Sequence, residues 1–587
     1  VVVINLALES FGLGKVNLRM TDQATLNISL PARASKPGAE TVIALAGTMF
    51  SALLLMLMAI YAGPLWRDEV NTANLAQMPS MNELWTNMPF ESFPPLCPLL
   101  LRGCSFLGLA GGDASIRVLG LYVGLFFLAT LWLSARWIGS RAPILSIALL
   151  GCLPTFIFIV GANRAYGLAS GLLVLCFGTI WRVVEIPSRS RILWAALTCF
   201  LFAHCVYYDV VFLCAMLAGG AMVVVRRRQW KTLAALGGIG AVSSATMAVY
   251  LPIIHRGSAY VPMIQWPFFS FSTLWNRLGD ALTVRSSGEL GHNGPEIWLW
   301  IVLLLSGSVV ALVMQRTWSR QTPNPATVAA PIVRGRPDLA LYCVVSMLLG
   351  VLGLFVFLFR LHFLTSSWYY VEMLCLCAIS LDGLLGASWP ALRPWGWLRI
   401  GFMVAMMTWG AKSAWAEAHT RRSNVDLIAS LLNKNASAGD FIVVQSAWEG
   451  ITFCRYYHGP ARWVTVPPID SHLVHRTDLV MDKMNQLEPM VPVLREITNT
   501  LHGGHSVWLL GNMSTMRPDP PPLGQPWFGT YYYYWSAQVS DTLLNHALQE
   551  QVLEIPAGGP VCCLENLPVI RFAGYKPKAD GPANRKQ

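Results

Sequence analysis

The stretch Trp66-Arg67-Asp68-Glu69-Val70 decides how this chain is read. It follows an apolar run, about Thr41 to Gly63, of the roughly 20 residues that span a bilayer. Two adjacent carboxylates and an arginine at the mouth of such a segment are costly to place there. They are read either as functional groups or as an ordinary solvated helix end, and the rest of the chain decides between the two.

Of the 587 residues, 54% are hydrophobic and only 12% charged, with a mean hydropathy of +0.49. A soluble domain carries about 25% charged residues, so the composition predicts a polytopic α-helical membrane protein. The net charge of +11 would suggest a nucleic-acid partner in a soluble chain. Here the Lys and Arg sit in short loops between apolar runs, which is the pattern of topology signals, and nucleic acid is excluded as a partner class. Most of the thirteen cysteines lie inside apolar runs and pack as small hydrophobes. No spacing reads as a zinc site, and a bridge between Cys454 and Cys562 or Cys563 is the one pairing left open.

About eleven spans are predicted: Thr41–Gly63, Val118–Ala135, Pro143–Val160, Tyr166–Val184, Ile192–Val206, Val210–Val225, Thr232–Leu251, Ile297–Met314, Leu339–Phe359, Tyr369–Leu385 and Ile400–Trp415. The run Leu96 to Ala110 is short for a span, carries Arg102 in its middle, and is expected to lie at the interface. With that choice the basic clusters, Arg226-Arg227-Arg228 among them, fall on one side, the cytoplasmic side by the positive-inside rule. Residues 1–40 then form a cytoplasmic tail and 41–415 the membrane domain. Residues 416–587 form an extracytoplasmic soluble α/β domain, in the same compartment as Asp68. Its strand-like runs are Phe441–Ser446, Trp463–Val466, Ser506–Leu510 and Val569–Phe572, and its helical ones Glu449–Tyr457, Leu479–Leu501 and Ser536–Gln551.

This topology gathers Arg67, Asp68, Glu69, Arg102, Arg164, Tyr166, Asp209, His255, Arg256, Arg360 and His362 on the outer face. Carboxylates at a lipid boundary, ringed by arginines, suit the removal of a proton from an acceptor while an anionic leaving group is held. The planar guanidinium matches a phosphate or diphosphate. A divalent cation, Mg²⁺ or Mn²⁺, is the open alternative, with Asp68 as its ligand. Several residues also have plain structural readings: Arg102 as a snorkelling side chain, His204 as a satisfied packing residue, Arg360 and His362 as loop residues, and Tyr531 to Tyr534 as core or interface.

The order "WRDEV", a helix, "PPL", an interfacial run, "ASIRVLGLYVGL" and then "NRAYGL" resembles the amino-terminal half of the GT-C glycosyltransferases. The likeness is to bacterial family-39-like enzymes, similar to protein O-mannosyltransferases and lipid A aminoarabinose transferases, and covers about Thr41 to Arg228. The resemblance implies a polyprenyl-phosphate-linked sugar donor and transfer with inversion outside a bacterial inner (cell) membrane. The acceptor is left as lipid, glycan or protein. It also implies that Asp68 and Glu69 are the family's acidic pair, with Asp68 as the acceptor's base. Pro94 and Pro95 correspond to its double proline, Arg117 to the arginine opening the next span, and Arg164 and Tyr166 to its Arg-x-Tyr. With Arg67, Arg102, Arg360 and His362, these last two are expected to hold the lipid phosphate. Two positions depart from the pattern: Phe93 stands where the family often has histidine, and Gly161-Ala162-Asn163 where it often has an acidic residue. A second acidic ligand for a metal is therefore not supplied.

The competing classes are a transporter or flippase for a lipid-linked or anionic substrate, and a non-catalytic subunit of an envelope complex. A transporter places its polar residues near the midplane on broken helices and often shows inverted repeats. Here the charges collect at one face and no repeat stands out.

Overall fold

A computed structural model describes residues 38–283, 295–320, 336–387 and 393–576. The predicted tail therefore lies, as far as residue 37, outside the described residues. Among these residues, eight helices are long and apolar enough to cross a membrane: Ala39–Tyr61, Asp113–Trp137, Ala165–Glu185, Asp209–Arg226, Trp230–Ser258, Pro295–Val313, Pro337–Leu361 and Ser367–Ala387. Each coincides with a predicted span. The other three predicted spans are also helical but fall short of that standard. One is broken into Ile144–Leu150 and Pro154–Val160. One is the 15-residue helix Arg189–Ala203. The last lies within Arg393–Ala418, which carries Arg399, Lys412 and Glu417. The chain is a multi-pass helical membrane protein with a C-terminal α/β portion.

Helix α1 (Ala39–Tyr61) stops just before Gly63, whose φ of +68° suits a residue without a side chain, and Pro64 prevents continuation. Helix α2 (Arg67–Ala76) starts three residues after that proline, with Asp68 and Glu69 in a first turn that favours negative charge. Helix α3 (Leu96–Phe106), with 11 residues, is too short to cross a bilayer. Leu99, Leu100 and Phe106 are exposed on it while Pro98 and Leu101 are buried, as an interfacial helix requires. Helices α4 (Asp113–Trp137) and α5 (Ala165–Glu185) pack against one another.

The two ends of the bundle differ in their charged contacts. At one end Arg399 pairs with Glu40 at 2.5 Å and Arg227 with Asp338 at 2.7 Å. At the other, Arg164 approaches Asp68, Tyr208 Oη donates to the Tyr369 carbonyl, and Gln265 Nε2 donates to the Leu361 carbonyl. The loops that the sequence assigned to one side thus meet at one end. His204 is a satisfied packing residue, as expected, its ring nitrogens 2.7 Å from Tyr250 Oη and 3.1 Å from Thr246 Oγ1.

The broken helix pair lies deep in the bundle, with residues 142–160 buried throughout. Proline at 154 cannot donate a helical hydrogen bond, and the neighbouring Gly151 carbonyl is taken up by Ser51 Oγ at 3.0 Å. The start of Ile144–Leu150 is capped from a distance: Asp382 accepts from the Leu145 and Ser146 amides at 2.9 and 3.0 Å and from Ser146 Oγ at 2.6 Å.

The C-terminal portion carries a five-stranded sheet of order β2-β1-β3-β5-β4, formed by β1 (Phe441–Val444), β2 (Arg462–Thr465), β3 (Val507–Leu510), β4 (Ala547–Leu553) and β5 (Val569–Tyr575). The first three are parallel, and β5 and β4 add antiparallel. Helix α6 (Glu449–Tyr456) follows β1 and packs on α2. The structure differs from the sequence reading in two places. The expected helix Ser536–Gln551 ends at His546, and the polar run after it is the edge strand β4. The expected helix Leu479–Leu501 is two helices, Thr477–Met484 and Val491–His502. All thirteen cysteines are free, so the Cys454 bridge is not formed.

Replacing Asp382 with Ala leaves two buried amides and a hydroxyl without their acceptor. It is expected to lower stability by about 2 kcal/mol or more, read as a fall in the thermal midpoint of the detergent-solubilised protein.

Candidate active site

The first turn of α2 is fixed by its own buried carboxylate. Glu69 is fully buried and lies 2.6 Å from Arg117 Nη1 on α4, with Arg117 almost equally buried. It also accepts from the Asn163 amide at 2.9 Å and from the Trp66 amide at 3.3 Å. Arg117 donates in addition to the carbonyls of Pro64 at 2.5 Å and Gly63 at 3.4 Å. Four segments are tied by this one pair, and Glu69 has no free face for a substrate.

Asp68, one position earlier, points away from that pair. Its carboxylate lies 3.9 Å from Arg164 Nη2, 3.8 Å from Arg67 Nε and 3.3 Å from His475 Nε2, with 22% of the side chain exposed. Burial would raise its pKa. Arg164, His475 and Arg67 outweigh burial and hold the carboxyl well below the usual range.

Arg164 precedes α5 in extended conformation. Its Nη1 donates to the Asp68 carbonyl and Thr72 Oγ1, each at 2.9 Å, and lies 3.2 Å from Glu91 Oε2. Its guanidinium stacks 4.4 Å from the Phe93 ring centroid. Glu91, buried, accepts further from Asn71 Nδ2 at 2.9 Å and the Ser92 amide at 2.8 Å. Tyr166 is buried between Phe93 and Tyr369, with centroids at 4.9 and 5.9 Å.

The remaining predicted residues are placed differently. Arg67 Nη1 pairs with Glu449 on α6 at 2.7 Å, and its amide donates to Glu565 at 3.3 Å. Arg102 Nη1 donates to the carbonyls of Ala76 and Met78 at 3.1 and 2.5 Å, which ties α3 to the end of α2. Arg360 and His362 are exposed, and no ion pair or hydrogen bond among the described residues joins their side chains to Asp68.

Sequence reasoning missed Glu91, Glu449, Glu565 and His475. An acidic residue three positions before the double proline was a visible signal for Glu91. Nothing local marks His475, which the fold brings to α2 from 404 positions away, its amide donating to Asn71 Oδ1 at 2.9 Å.

A divalent cation on Asp68 would sit against two guanidinium groups and an imidazole, and the other carboxylates are engaged by Arg117, Arg164 or Arg67. No group of three or more His, Cys, Asp or Glu able to hold a metal occurs among the described residues. The donor set does not fit an ion at this position.

Fold and site together define a multi-pass helical membrane protein with an acidic and basic cluster where one end of the bundle meets a small α/β unit. No family model matches the chain, and no curated protein matches it. The fold is similar to several solved structures. One is the oligosaccharyltransferase of Archaeoglobus fulgidus with a tethered acceptor peptide, at 10% identity over 92% of this chain and 75% of that chain, TM-score 0.43. Another is ArnT from Cupriavidus metallidurans bound to undecaprenyl phosphate, at 14% identity over 89% and 97%, TM-score 0.35. A third is the S. cerevisiae protein O-mannosyltransferase Pmt1-Pmt2 complex bound to its sugar donor, at 13% identity over 38% and 35%, TM-score 0.28. Protein O-mannosyltransferases were among the proteins the sequence resembles. At these identities and scores, what the site does has to be argued from its own residues.

Two predictions follow from the charges. Arg117→Met strands Glu69 as a buried charge and is expected to cost about 3–5 kcal/mol, whereas Arg117→Lys keeps the charge and costs less; thermal unfolding of both variants separates them. Glu565 is fully buried, and burial pushes its pKa up to about 8 against the opposing pull of Arg67. Its folded value lies above its unfolded one, so its contribution to stability is complete below about pH 4.5 and is lost as pH rises to about 8. Glu565→Gln is expected to flatten the fall in stability over that window, measured by unfolding across a pH series.

Proposed function

We propose that this protein is a membrane-embedded glycosyltransferase of the GT-C type. It moves a sugar, with inversion, from a polyprenyl-phosphate donor to an acceptor on the extracytoplasmic side of a bacterial inner membrane. The observation that carries the reading is the setting of Asp68: a part-exposed carboxylate, fixed in an otherwise buried ionic frame, at the end of the bundle where the interfacial helix α3 lies. A lipid-borne donor would arrive at that depth, and a fixed carboxylate there can orient an acceptor hydroxyl or amine toward the anomeric carbon.

The charge inventory supports a division of the remaining roles. Arg164 and Arg117 are matched by Glu91 and Glu69, and Arg67 by Glu449. Arg360 and His362 are exposed at the same end, with no carboxylate partner among the described residues, and are proposed to receive the departing lipid phosphate, with Arg102 beside the lipid boundary as a further cation. The acceptor class, whether lipid, glycan or protein, is left to experiment. The collection of these charges at one end, rather than at the midplane, favours transfer over transport.

The test is transfer from labelled polyprenyl-phosphate sugars by the purified protein. Asp68→Asn is expected to lower the rate by about 100-fold or more while the protein keeps its elution profile and remains folded at the assay temperature. Equal activity in the variant would remove Asp68 from the mechanism.

A further inference from the structure

We propose that His475, from the C-terminal portion, is the group that takes the acceptor's proton, with Asp68 orienting the imidazole behind it. This rests on the glycosyl-transfer reading above.

The imidazole is delivered to Asp68 by a pinned segment. The Leu473 carbonyl accepts from Asn74 Nδ2 at 2.8 Å, and the His475 amide donates to Asn71 Oδ1 at 2.9 Å. Val474, between them, is buried with Leu75 and Met78. Asp68, Asn71, Asn74 and Leu75 share one face of α2 by helical spacing, so the segment lies along that face. The ring also packs edge to face with Trp448, centroids 5.6 Å apart. His475 Nε2 faces Asp68 Oδ1, and among the described residues no hydrogen bond engages Nδ1.

The other carboxylates around it are not free to meet an acceptor. Glu69 and Glu91 are buried and occupied by arginines, and Glu449 carries Arg67. Asp68 is reachable, but three positive or hydrogen-bonding neighbours stabilise its ionised form, and a carboxylate so stabilised binds a proton weakly. An imidazole backed by such a carboxylate is the arrangement in which the acid orients the base and stabilises the cation that forms.

In the step itself, the acceptor oxygen or nitrogen forms a bond to the anomeric carbon. The bond from that carbon to the phosphate oxygen breaks, and its electron pair stays on the phosphate. The acceptor's proton passes to His475 Nδ1, the imidazolium is stabilised by Asp68, and the proton is then released to water.

The experiment uses the full chain in lipid nanodiscs. Donors are undecaprenyl-phosphate-linked mannose, glucose and 4-amino-4-deoxyarabinose, each labelled in the sugar, and the acceptor pool is isolated membranes of the source cell. His475→Ala is expected to lower kcat by about 100-fold or more, with KM for the donor unchanged, and added imidazole is expected to restore a measurable part of the rate. His475→Gln, which fills the same space, should be equally slow and should not respond to imidazole. A wild-type rate in His475→Ala overturns the proposal and leaves the transferase reading standing. A loss in both variants with no imidazole response also overturns it, because His475 would then only position Asp68. Absence of transfer by the wild-type chain from every donor overturns both readings.

Discussion

The pair between Glu69 and Arg117 is the constraint on which the rest of the site depends. A carboxylate with no exposed surface and an arginine nearly as buried are stable together only because their remaining hydrogen-bonding positions are filled. Those positions are filled by backbone: Asn163 and Trp66 amides on one side, Pro64 and Gly63 carbonyls on the other. The pair therefore fixes the turn after α1, the first turn of α2, the start of α4 and the entry to α5 in one geometry. Asp68 inherits its direction from that geometry, and so does Arg164, which is adjacent to Asn163 in the chain.

Much of this was legible in the sequence, for physical reasons. Spans are read from length and hydropathy, which the bilayer imposes directly, so the apolar runs came through, and Leu96–Phe106 is a helix too short to cross. Asp68 and Arg164 stood out because charges beside a membrane segment need a reason, and they do meet. The break at Pro154 lay within a run so uniformly apolar that hydropathy alone could not divide it. Edge strand β4 was hidden because its central residues, Gln549, Glu550 and Gln551, are good helix formers directly after a helix. Its strand state comes from pairing with β5, a contact that local propensity does not contain.

The partners of the predicted residues were the less legible part. Arg67, Arg102 and Arg164 share a residue type, yet one meets Glu449, one bonds two backbone carbonyls, and one meets Glu91 over an aromatic ring. A sequence marks that an arginine is expensive to place, not what neutralises it. Burial then sorts them, since an arginine already matched in the interior has little field left for a ligand, whereas Arg360 at the surface keeps its own.

The seam between the bundle and the C-terminal portion explains why the site can be both rigid and reachable. Its contacts are largely polar: Arg455 and Tyr456 meet Asp113 at 2.6 and 2.5 Å, Tyr456 Oη also accepts from the Leu65 amide, and Arg67 meets Glu449. Such contacts can exchange with water at little net cost, unlike a buried apolar face. Apolar anchoring comes in separate patches: Ile451 with Leu65, Val70 and Ala73, Val474 with Leu75 and Met78, and Met263 in the core of the C-terminal portion, with Trp266 edge-on to Trp527. Asp68 and His475 face each other across this seam with about a fifth of each side chain exposed. The ionic frame beneath holds the carboxylate still, while the polar seam above leaves it open to solvent.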